Sequence, residues 1–147
     1  MKNIFLIISI LLLTFELSFC DAPKLDAQEF PKSEMKKQKN EITKLMAKEL
    51  AKGLPKEVDK YTMLTHITSK NSTLIYTFEI NTGAKSDATV IKEDHSRMKR
   101  AVTKGVCSTS SKLLDVGINT TYIYKSALTK KTLFVFKIDK TKCIGLK

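Results

Sequence analysis

The chain has 147 residues, 42% of them hydrophobic and 28% charged, and its 26 Lys and Arg residues against 15 Asp and Glu residues give a net charge of +11. This hydrophobic fraction excludes a disordered chain. Three cysteines are too few for a disulfide-dense miniprotein. A chain of this length predicts one domain with its own hydrophobic core.

The first twenty residues have the pattern of a secretory signal peptide. Lys2 precedes an apolar run over residues 4–13, and that run is about half as long as a membrane-spanning helix requires. Two processing outcomes fit the sequence that follows. Leu17-Ser18-Phe19-Cys20 resembles a lipobox, in which Cys20 would carry a lipid, whereas ordinary cleavage after Cys20 would remove it. We therefore predict an exported protein, either periplasmic or secreted, or held on a bacterial membrane through Cys20.

Residues 21–33 contain two of the three prolines and lack apolar periodicity, which predicts a flexible tether. A single α+β domain is predicted for residues 34–147. It begins with a helix over residues 34–52, which ends because Gly53 can cap it and Pro55 cannot continue it. The large apolar residues of this helix recur at helical spacing and predict its core-facing side: they are Met35, Ile42, Leu45, Met46 and Leu50.

The opposite side of this predicted helix is rich in lysine. One interpretation is that the positive charge attracts anionic lipid or an acidic partner. The other is a solvated face that binds nothing, since such a face has the same composition. We take four of its lysines as a candidate partner-binding face: Lys36, Lys37, Lys44 and Lys48.

The rest of the chain alternates between strand and helix patterns. Residues 61–68 and 73–81 predict one β-hairpin, and residues 118–125 and 132–139 predict a second. Between them lie a helix that Asp87 can cap and a short helix that ends at Gly117. The expected fold is α+β: an N-terminal helix, two hairpins forming a mostly antiparallel four-stranded sheet, and a helical pair between the hairpins on one face.

Once Cys20 is lipidated or removed, Cys107 and Cys143 remain. An even pair of cysteines in an oxidising compartment predicts a disulfide between them. Neither cysteine has His or acidic neighbours at the spacing of a metal site.

The sequence contains no motif of a nucleotide-binding, hydrolytic or zinc-protease site. Glu93, Asp94 and His95 are adjacent, but consecutive helix residues point in different directions and cannot converge on one ligand. We therefore predict no catalytic, cofactor or metal site. Nucleic acid is not an expected partner, because the lysines are spread along the chain and the aromatic residues alternate within strands as core residues do. Asn71 and Asn119 each begin a glycosylation sequon.

Several segments together resemble the AspS/YghG-type pilotins, small lipoproteins of type II secretion systems. The resemblance spans residues 50–145 and rests on Gly53-Leu54-Pro55, the polar turn at residues 70–73, the pair of tyrosines at 122 and 124, and the cysteine pair. It implies a small α/β domain with one disulfide that escorts an outer-membrane secretin.

Two functions follow from these patterns. The first is an exported, non-enzymatic accessory protein that binds another envelope protein and helps to place or assemble it, in the manner of a pilotin. The second is a secreted inhibitor or immunity protein that blocks a partner enzyme.

Overall fold

The structure is a computed structural model that describes residues 31–146. The predicted signal peptide, Cys20 and almost all of the predicted tether lie outside the described residues. The elements in chain order are α1 (Lys32–Leu50), β1 (Lys56–Asp59), β2 (Thr62–Lys70), β3 (Thr73–Ile80), α2 (Asp87–Thr109), α3 (Ser111–Asp115), β4 (Asn119–Ser126), β5 (Thr132–Ile138) and a 3₁₀ turn (Lys140–Cys143).

The strands form one mixed sheet in the order β1-β2-β3-β4-β5. The two central strands, β3 and β4, run parallel, with Thr73 opposite Asn119 and Ile80 opposite Ser126. The other neighbouring strands pair antiparallel. The α2–α3 segment supplies the long crossover that a parallel pair requires.

The predicted four-stranded, mostly antiparallel sheet is therefore wrong in two respects. The two hairpins meet in parallel because α2 and α3 return the chain to the end of the sheet where β3 begins, and the Asn119 amide there donates to the Ser72 carbonyl at 3.0 Å. The second error is that β1 is missing from the prediction. All four β1 residues are exposed, so this edge strand lacks the alternating apolar pattern that reveals a strand.

Both long helices cover the same face of the sheet. Leu74 and Phe78 point to that face of β3, since side chains alternate along a strand. Leu74 packs with Ala47 of α1, whereas Phe78 packs with Val90 of α2 and with aromatic residues of β4 and β5. The core thus lies between the sheet and the two helices.

The core-facing side of α1 differs from the predicted one. The buried residues of α1 are small, Thr43 and Ala47, and the Thr43 hydroxyl donates to the Lys39 carbonyl at 2.7 Å. Small side chains let the helix backbone approach the sheet closely. Most of the large apolar residues predicted to face the core are exposed instead: Met35, Ile42, Leu45 and Leu50.

A disulfide joins Cys107, near the end of α2, to Cys143, at the end of the 3₁₀ turn. Both cysteines are buried with Val106, Leu114 and Ile138 in a small cluster of their own. The bridge therefore holds the C-terminal end of α2 against the segment that follows β5.

Candidate partner-binding cleft

A recess of the described structure lies between α2 and the sheet. It consists of two adjoining hollows of about 680 and 420 Å³, which share Asp59, Thr62 and Met98 in their walls. We call the pair the helix–sheet cleft. It forms because α2 packs on β5 and α1 packs on β2, which leaves part of the sheet face between them uncovered.

On the α2 side of the cleft, small residues protrude little from the helix and keep the wall low. Ala101 and Gly105 lie four residues apart, one turn of a helix, and both line the cleft. A Cβ atom added at Gly105 would have no atom within 4 Å beyond its chain neighbours and the nearby backbone of its own helix. Met98 and Val102 provide an apolar surface on the same wall, so an approaching segment could contact the helix closely.

The floor of the cleft is aromatic and continues into the core. Phe78 stacks on Tyr124 with ring centroids 4.8 Å apart and on Tyr122 at 5.7 Å. Tyr122 in turn stacks on Tyr76 at 5.0 Å. These rings belong to the parallel pair β3 and β4, whose register places Tyr76 opposite Tyr122 and Phe78 opposite Tyr124.

Two tyrosine hydroxyl groups add polar atoms to this floor. Burial is the main reason why the pKa values of Tyr122 and Tyr124 rise to about 12, so both hydroxyls stay protonated at physiological pH. Within residues 31–146, neither hydroxyl forms a hydrogen bond. Each could therefore donate a hydrogen bond to a ligand in the cleft.

Charged side chains border the first hollow of the cleft. Asp94 accepts hydrogen bonds from Arg97 Nε at 3.1 Å and Arg97 Nη2 at 2.7 Å. Lys85 Nζ lies 2.6 Å from a carboxylate oxygen of Glu93. A polar rim around an apolar floor is the usual anatomy of a protein interface.

The predicted lysine face lies elsewhere. Its four residues, Lys36, Lys37, Lys44 and Lys48, are exposed on α1 and do not line the helix–sheet cleft. Its role in binding stays a prediction. Of the two sequon asparagines, Asn71 is exposed in the turn between β2 and β3 with a positive φ of 47°.

Glu93, Asp94 and His95, which are adjacent on α2, contact different neighbours. Glu93 pairs with Lys85 and Asp94 with Arg97, whereas the His95 ring lies 5.6 Å from the Phe136 ring. Among the described residues there is no group of three or more side chains that could hold a metal ion. Nor, within residues 31–146, is any helix long and apolar enough to cross a membrane.

Sequence reasoning did not find the helix–sheet cleft. The signals that could have indicated it are the small residues Ala101 and Gly105 at helical spacing and the pair Tyr122 and Tyr124. Each pattern has an ordinary core interpretation by itself, and only the tertiary structure brings them together.

Solved structures with the same arrangement include two pilotins. No family model and no curated protein sequence matches the chain. The pilotin EpsS of the Vibrio vulnificus type 2 secretion system is 18% identical with a TM-score of 0.63, and the match covers 76% of this chain and 96% of that one. The type II secretion pilotin AspS of Vibrio cholerae is 18% identical with a TM-score of 0.61, covering 76% and 97%.

This chain has the pilotin fold. The sequence-based resemblance to pilotins is thus confirmed at the level of the fold. A candidate secreted protein of Pseudomonas aeruginosa has the same fold, with 19% identity, a TM-score of 0.65, and coverage of 74% of this chain and 96% of that one. The shared fold covers nearly the whole length of each of these three solved chains and about three quarters of this one.

Proposed function

We propose that this chain is an exported, non-enzymatic accessory protein that binds a segment of another cell-envelope protein in the helix–sheet cleft and helps to place or assemble that protein. The observation that carries the proposal is an open, largely apolar cleft in a domain with the pilotin fold. The partner that the pilotin resemblance predicts is a secretin.

The dimensions and chemistry of the cleft favour an amphipathic helix as the bound segment. The wall formed by Ala101 and Gly105 admits close approach of a second backbone, and the apolar floor can receive side chains spaced along one face of a helix. The hydroxyls of Tyr122 and Tyr124 can donate hydrogen bonds to polar atoms of the segment, which would fix its position along the cleft.

Filling the cleft tests this proposal. Gly105→Trp places an indole in open space, and replacing a mid-helix glycine does not weaken α2. Ser96→Trp introduces the same side chain at an exposed position of α2 that does not line the cleft, and it serves as the matched control. Both variants are expressed in the native host, and captured partners are identified by crosslinking and mass spectrometry.

We expect the wild type and Ser96→Trp to capture the same envelope protein and Gly105→Trp to lose it, with unchanged melting temperatures. Equal capture by both variants would overturn the cleft as the binding site and favour the free edge of β1. Turnover of a substrate by the purified protein without a partner would overturn the non-enzymatic role.

A further inference from the structure

Helix α1 presents an apolar strip to solvent. Met35, Ile42 and Leu45 are 47%, 44% and 62% exposed, respectively. They lie along one side of the helix, because Leu45 is one turn after Ile42 and Ile42 is two turns after Met35. The residues that hold α1 on the sheet are the buried Thr43 and Ala47 and the partly buried Met46. The strip is therefore available to a second surface while the domain stays folded.

Charged residues of both signs border this apolar strip. Glu41 and Glu49 each lie one turn from Leu45, and three lysines lie beside them. Lys44 and Lys48 lie one turn apart, Lys48 follows Leu45 by one turn, and Lys37 lies two turns before Lys44. All three are exposed, and within the described residues none forms an ion pair. The helix contains six lysines against three glutamates, so its own charge has the same sign as the net charge of +11.

We propose that α1 is an interfacial helix that holds the domain against an anionic lipid surface. Exposed apolar side chains on a convex helix that carries six lysines against three glutamates match the side of an amphipathic helix that enters the headgroup region of a bilayer. Each lysine near an anionic surface adds attraction. A deformable lipid surface can enclose a convex strip, whereas a protein partner would have to offer a complementary groove.

The position of α1 in the chain supports the same occupant. Lys32, its first residue, follows Cys20 by twelve residues, which can span at most about 40 Å when fully extended. A lipid on Cys20 would therefore keep α1 close to the membrane. The helix–sheet cleft is not used in this contact, so membrane binding by α1 and partner binding in the cleft can be tested separately.

Tryptophan fluorescence can locate the contact, because the chain contains no tryptophan. Leu45→Trp places a single probe on the apolar strip, and Ser96→Trp places the matched probe on the exposed side of α2. Each protein, purified after export, is mixed with vesicles of phosphatidylglycerol or of phosphatidylcholine. Quenching by brominated acyl chains then reports entry of the indole into the lipid.

We expect Leu45→Trp emission to shift to shorter wavelength and to be quenched only with phosphatidylglycerol, while Ser96→Trp stays unchanged. Adding Lys37→Gln, Lys44→Gln and Lys48→Gln should weaken this binding about 100-fold. Emission of Leu45→Trp that is unchanged by phosphatidylglycerol would overturn the proposal. A shift that appears only when an acidic partner protein is added would overturn it too and would assign α1 to that protein.

Discussion

Tyr122 and Tyr124 join the sheet core to the proposed binding surface. Their rings stack with Phe78, and their hydroxyls remain available in the cleft. An aromatic ring with a polar tip suits this position, because the ring packs against the core and the hydroxyl can bind a partner. The same burial that positions the rings makes the fold sensitive to alkaline pH.

We expect the free energy of unfolding to fall between pH 10 and pH 12. The pKa values of Tyr122 and Tyr124 are about 12 in the folded protein and about 10 in an unfolded chain. The unfolded state therefore loses these protons first, and the stabilisation present below pH 10 is lost as the pH rises through the folded-state values. Urea denaturation of Tyr122→Phe and Tyr124→Phe should show a shallower decline than the wild type.

Tyr61→Phe is the control for this pH series, because Tyr61 is 57% exposed and its decline should match that of the wild type. A decline that is equally steep in all four proteins would mean that the buried tyrosines do not cause it.

At the level of elements, α1 shows that residue size can decide which side of a helix is buried. Thr43 and Ala47 are its buried residues, and Met46 packs partly buried beside Ala47. The exposed Met35, Ile42, Leu45 and Leu50 gain little from the folded state. Close contact between the helix backbone and the sheet leaves no space for longer side chains, because protein interiors are densely packed.

The sequence pattern places Leu45 in the core, so it predicts a large loss of stability for a substitution there. The structure predicts instead that a substitution at Ala47 is the costly one. Ala47→Leu should destabilise the fold by about 1–3 kcal/mol, since the added side chain cannot fit against Ile67 and Leu74. Leu45→Ala should change stability by less than about 0.5 kcal/mol, because Leu45 is exposed. Thermal melts monitored by circular dichroism would measure both changes. A larger loss for Leu45→Ala would place that residue in the core.

At the level of the whole molecule, the disulfide ties the crossover segment to the end of the sheet. Cys107 and Cys143 are separated by 36 residues, and the chain between them includes α3, β4 and β5. Linking these two points restricts the unfolded chain over a segment that contains two of the five strands.

The double variant Cys107→Ser and Cys143→Ser should lose about 3–4 kcal/mol of unfolding free energy by loop entropy. Urea denaturation at neutral pH would measure the loss, and reduced wild type should unfold at a similar urea concentration. A stability equal to that of the oxidised wild type would show that the bridge does not contribute. A non-reducing peptide map of native protein that finds two free thiols would contradict the bridge itself.

The sequence by itself determined where most of the described elements begin and end. The predicted helix over 34–52 and the strands near residues 62, 73, 119 and 132 agree with the structure to within about two residues, because turn residues and apolar periodicity act locally. The pairing of Cys107 with Cys143 followed from the cysteine count once the signal-peptide pattern had set Cys20 aside. The similarity to pilotins was predicted from residue spacing and the cysteine pair, and it is confirmed at the level of the fold.

Only the tertiary structure decided how these elements meet. The parallel pairing of β3 and β4 depends on where the crossover returns the chain, and no local pattern encodes that. The burial of Thr43 and Ala47 depends on how closely α1 approaches the sheet. The prediction from apolar spacing that Ile42 and Leu45 face the core is therefore wrong. The cleft exists because two helices leave part of one sheet face uncovered, and this is a property of their packing rather than of any single segment.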